Sequence, residues 1–119
     1  MKKILIIEDE PDVAETMKIL VEKGGYKVDY TLNPEKGLKM VKDYDLLLLD
    51  IAMPGMSGYE ILSKMKKRKI NIPIIVVSAV GIPEQMEKEI KSKYPKVGYV
   101  SKIEIYDVLV KEIRKKIGK

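Results

Sequence analysis

A doubly wound α/β fold, five parallel strands with five helices around them, is predicted by three features of the sequence. Short apolar runs alternate with stretches of helical periodicity. The connections are short, and no linker-like, low-complexity or repeated segment interrupts them. The 119 residues suffice for one domain, residues 1–119, with a single real core.

Lys3 to Ile7 is a continuous apolar run and reads as a buried first strand. A first helix is expected from about Pro11, with Val13, Met17, Leu20 and Val21 on one face and Gly24-Gly25 as its stop. Tyr26, Val28, Tyr30 and Leu32 alternate with polar residues, as in a half-exposed edge strand. Asn33-Pro34 opens a short second helix with Leu38 and Val41 inward. Leu46 to Leu49 reads as a central strand buried on both faces, and a third helix as spanning about Gly58 to Lys69. Pro73 to Val77 and Val97 to Val100 supply the fourth and fifth strands, with a weaker helix from roughly Pro83 to Tyr94 between them. The last helix carries Ile105, Val108, Leu109, Ile113 and Ile117 on one stripe.

Composition narrows the chemistry. Cysteine and histidine are both absent, which excludes disulfides, thiolate or imidazole metal ligands and any intrinsic histidine base. The net charge of +5 is carried almost wholly by lysine, with Arg68 and Arg114 the only arginines. Direct nucleic-acid reading, which leans on arginine, is therefore not expected. The basic run Lys64 to Lys69 reads first as a solvated helix end, with contact to an acidic partner or to nucleic acid as a lesser alternative. No signal peptide or membrane-length apolar run is present in the sequence, so a cytoplasmic protein without membrane insertion is expected.

In open parallel sheets, chemistry sits at the carboxyl ends of the strands. The first strand delivers Glu8-Asp9-Glu10 there, the third Asp50, the fourth Ser78 and the fifth Ser101-Lys102. In the order 2-1-3-4-5 the first and third strands are neighbours, so Glu8, Asp9 and Asp50 should converge. Clustered carboxylates repel one another by several kcal/mol, on the order of 4 kcal/mol per close pair. A divalent cation relieves that repulsion, and oxygen-only ligands favour Mg²⁺. With Lys102 for an anion and Ser78 as a hydroxyl donor, the set describes a phosphoryl-transfer pocket. An aspartate nucleophile there would form an aspartyl phosphate.

KILIIEDEP, LLLLDIAMPGMSGYE, PIIVVSA and YVSK, taken together, closely resemble the receiver domain of two-component response regulators, over essentially the whole chain. The resemblance implies a flavodoxin-like fold of the stand-alone chemotaxis type. It implies that Asp50 accepts a phosphoryl group and that Asp9 and Asp50 bind Mg²⁺, with Glu8 acting through water and Ala52 through its backbone carbonyl. Ser78 and Lys102 would contact the phosphoryl group, and Ser78 and Tyr99 would form the switch pair. The phosphoryl donor would be the phosphohistidine of a sensor histidine kinase or histidine phosphotransfer protein. Output would pass to a protein contacted through the fourth helix, fifth strand and fifth helix, with a phosphorylation-dependent homodimer as a further option. Such a chain is a switch and not a turnover enzyme.

Three departures fall on that output face. Ile103 follows Lys102 where the family usually has proline after a cis bond, leaving either a strained cis bond or a rebuilt trans loop. Glu104 replaces a common aromatic, and Tyr94-Pro95-Lys96 replaces the usual Gly-Ala-Asp turn. Ala52 and Val80 beside the site are apolar, so slow self-hydrolysis is expected. The competing reading is a pseudo-receiver that binds partners constitutively without phosphorylation. A flavin carrier would want a Gly/Ser/Thr loop where Glu8-Asp9-Glu10 stands, and a dehalogenase-type phosphatase would want Asp-x-Asp there.

Overall fold

The computed structural model describes residues 1–51, 57–78 and 84–119. The strands are β1 (Lys3–Ile7), β2 (Lys27–Thr31), β3 (Leu46–Asp50), β4 (Ile74–Ser78) and β5 (Gly98–Ser101). They form one parallel sheet in the order β2-β1-β3-β4-β5, as expected. Around it lie α1 (Pro11–Lys23), α2 (Pro34–Met40), α3 (Gly58–Lys67), α4 (Glu84–Lys93) and α5 (Val110–Ile117).

Strand β3 is buried at every residue, because it has neighbours on both edges and helices on both faces. Its leucines alternate between two cores. Leu46 and Leu48 pack with Ile4, Ile6 and Val77 against Met17 and Val21 of α1 and Ile113 of α5. Leu47 and Leu49 pack with Leu5, Ile7 and Val76 against Leu38 of α2, Ile61 and Met65 of α3, and Ile90 of α4. β2 is the expected half-exposed edge, but it ends at Thr31, which is buried. Leu32, read as the next inward position, lies past the strand and is 40% exposed.

Local chemistry sets the helix ends. Pro11 occupies the first turn of α1, and Gly25, at φ 99°, turns the chain away after it. Asn33 caps α2 by accepting a hydrogen bond from the Lys36 N–H at 3.1 Å. Ser57 caps α3 in the same way through the Glu60 N–H at 3.2 Å. α3 ends at Lys67, two residues before the sequence suggests, in a left-handed turn with Lys69 at φ 57°.

The larger difference follows β5. Residues Lys102–Glu104 form a 3₁₀ turn and Ile105–Leu109 a π-helical turn, so regular α5 begins only at Val110. The apolar stripe survives these changes of winding: Ile105, Leu109 and Ile113 are buried, and Val108 and Ile117 pack partly against the same core. Among the described residues there is no cis peptide bond, so Lys102–Ile103 takes the rebuilt trans form. Among the described residues, no helix is long and apolar enough to cross a membrane.

Candidate functional site

Sheet register brings the acidic residues together. Ile7 of β1 pairs with Leu49 of β3, so the next residues, Glu8 and Asp50, lie side by side. Asp50 pairs in turn with Val77 of β4, and Ser78 pairs with Ser101 of β5, after which Lys102 follows. Four strands thus end on one rim. The site also fixes a glycine: a Cβ on Gly58 would stand 2.5 Å from the Asp50 carbonyl oxygen, so only glycine lets the start of α3 approach there.

Glu8 is wholly buried and Asp50 is 2% exposed. The Lys102 ammonium lies 3.1 Å from Glu8 Oε2, 3.6 Å from Asp50 Oδ2 and 4.0 Å from Glu10 Oε1. Two carboxylates out of water beside each other are costly, and one lysine offsets only part of that cost. The effect falls on Glu8, whose pKa is raised from 4.5 to about 7, first by burial and then by the Asp50 charge. Burial alone would lower the Lys102 pKa. The hydrogen bond to Glu8 and the charges of Asp50, Glu8 and Glu10 outweigh it and raise it.

Carboxylate oxygens of Glu8, Asp9 and Glu10 all lie within 4.8 Å of one another. Asp9 is half-buried and Glu10 exposed. Hard oxygen donors this close, with buried negative charge behind them, fit a small divalent cation such as Mg²⁺. Glu10 is the member that sequence reasoning left out of the ligand set. It precedes α1 at the capping position, yet its side chain makes no capping hydrogen bond. Its proximity to Lys102 depends on the fold of β5, which nothing in the EDE triplet foretells.

Ser78 and Tyr99 belong to the other face of the sheet. Tyr99 pairs with Val76, and its ring packs with the core beneath α2, α3 and α4. Strand alternation puts Ser78, two residues after Val76, on the same side as Tyr99. Ser78 is 8% exposed. The Tyr99 hydroxyl is buried with no hydrogen-bond partner among the described residues. Its pKa is raised to about 12 by burial and then by the Glu87 charge. Ala52, named for its carbonyl, and Val80, named for hydrolysis, lie outside the described residues.

Residues 4–115 match the family model of the response regulator receiver domain. The chain therefore belongs to the response regulator receiver domain family. It is similar to the response regulator SaeR of Staphylococcus aureus, at 36% identity over 80 residues, covering 66% of this chain and 35% of that protein. The matched stretch thus spans about a third of that relative's length. Among solved structures it is similar to the response regulator protein TrrA of Thermotoga maritima, solved in complex with Mg²⁺-BeF, at 33% identity and a TM-score of 0.81, covering 97% of this chain and 98% of that one. The chemotaxis protein CheY4 of Vibrio cholerae shares the fold at 19% identity and a TM-score of 0.85, covering 98% of each chain.

Proposed function

We propose that this chain is a phosphoacceptor switch in which Asp50 takes a phosphoryl group from a phosphohistidine on a partner. The observation that carries the reading is the buried Asp50–Glu8 pair with Lys102 reaching both carboxylates at the carboxyl rim of the sheet. An Asp50 carboxylate oxygen attacks phosphorus. The P–O bond forms as the partner's P–N bond breaks, and the imidazole leaves with the partner, taking up a proton. Lys102 neutralises charge on the phosphoryl oxygens, and the Ser78 hydroxyl donates to one of them. Asp9 and Asp50, with the Ala52 carbonyl and with Glu8 through water, would hold Mg²⁺, which supplies charge neutralisation at the transferring group.

Once Ser78 is drawn toward the phosphoryl group, Tyr99 on the same face has room to move, and no hydrogen bond among the described residues holds its hydroxyl in place. The face made by α4, β5 and α5 then presents a changed surface to an output protein or to a second copy of the chain. The donor is a sensor histidine kinase or a histidine phosphotransfer protein, and the setting is the cytoplasm. The chain assists its own phosphorylation and dephosphorylation, and turns over no external substrate.

Beryllofluoride with Mg²⁺ tests this reading, because it mimics an aspartyl phosphate without a donor. The expected result is a raised melting temperature and shifted amide signals for Ser78 and Tyr99, both lost in Asp50→Asn. A wild-type protein that ignores beryllofluoride would favour the constitutive pseudo-receiver.

A further inference from the structure

The switch leaves much of this chain's lysine unexplained. At the amino-terminal end of the sheet a groove opens between the C-terminal ends of α3, α4 and α5. Lys66, Lys69, Lys93, Lys96, Lys115 and Lys116 line it, and among the described residues no aspartate or glutamate does. Four of these six, Lys66, Lys69, Lys96 and Lys116, make no ion pair among the described residues, in a chain whose net charge is +5.

Favourable interaction with helix C-termini accounts for lysines in a last turn. It does not account for Lys69 and Lys96, which lie beyond the ends of α3 and α4. Lys93 and Lys115 pair with Glu89 and Glu112 on their own helices. Among the described residues, Lys66, Lys69 and Lys96 make no ion pair. The groove is also lined by the partly exposed aliphatic side chains of Ile70, Ile72, Ile74 and Val97. Unpaired cations in one groove with apolar side chains are a surface complementary to a ligand that is acidic on one side and apolar on the other.

We propose that this groove docks an acidic, amphipathic peptide segment of a partner protein, its carboxylates on the lysines and its aliphatic side chains on the apolar lining. Nucleic acid fits less well. No arginine lines the groove, and Tyr94 is its only aromatic, already lying 5.6 Å beneath Lys66. β4 separates the groove, at its Ile74 end, from the phosphoacceptor rim at Ser78, a span of roughly 13 Å. Docking is therefore compatible with access to Asp50, and it does not depend on phosphorylation.

The test uses a fluorescein-labelled synthetic helix with glutamate on one face and leucine on the other, titrated with the full chain and with Asp50→Asn. Both should bind, with amide shifts concentrated at residues 65–74 and 93–97. Affinity should fall at least about tenfold in Lys69→Glu/Lys96→Glu, whose two positions are exposed. A variant spectrum otherwise matching wild type confirms that it is folded. Equal binding by the variant would overturn the proposal, as would peptide shifts that map elsewhere. Tighter binding of a single-stranded oligonucleotide in the same groove would also overturn it.

Discussion

Glu8 is the residue on which the electrostatics of the rim turn. Its carboxyl is wholly buried beside Asp50, and its pKa stands near 7 where an unfolded chain would have 4.5. The folded state therefore holds this proton more tightly than the unfolded state does. By linkage, the contribution of Glu8 to stability is greatest below pH 4.5, declines as pH rises to about 7, and is level above. A divalent cation competes with that proton, so Mg²⁺ should stabilise the protein more at pH 8 than at pH 5. Melting curves across this range should show the decline in wild type without Mg²⁺, and a much flatter profile for Glu8→Gln. A wild-type profile no steeper than that of Glu8→Gln would show that the buried carboxyl is not the cause. Of this arrangement, the meeting of Glu8 and Asp50 is readable from strand order alone. The reach of Lys102 to Glu10 is not, because it depends on how the chain winds after β5.

Among the elements, α3 shows how a local rule can be broken at a cost. The Ile70 N–H reaches back to the Met65 carbonyl at 3.0 Å and the Lys69 N–H to the Lys66 carbonyl at 3.2 Å, the bonding of a Schellman stop. Ile70 packs partly against the core cluster that contains Met65. The left-handed position is normally glycine, but here it is Lys69 at φ 57°. Lys69→Gly should therefore stabilise the protein by about 1 kcal/mol, a gain of roughly 4 °C in melting temperature. Lys69→Val should lower it, and the reverse order would rule out strain at this residue. The basic run hid this stop, since no glycine marks it. The π turn after Lys102 was hidden for a related reason. Ile105, Leu109 and Ile113 keep a spacing of four, which a continuous helix fits equally well. α4 was weakly marked because it buries only Ile90 and relies on ion pairs along its own surface.

At the scale of the molecule, the sheet brings together groups far apart in sequence. Buried strands such as β3 read clearly because burial on both faces demands continuous apolar runs. Parallel order then places every carboxyl end on one rim. That is why strand order alone assigns Asp50, Glu8 and Lys102 to one place, whereas it does not reveal the lysine groove at the opposite end. Its lysines come from three helix ends whose approach no local pattern records. The proposal that this rim accepts a phosphoryl group is tested most directly by intact-protein mass after incubation with acetyl phosphate and Mg²⁺. Wild type should gain the mass of one phosphoryl group and Asp50→Asn none. An unchanged wild-type mass, or an equal gain in Asp50→Asn, would contradict the account.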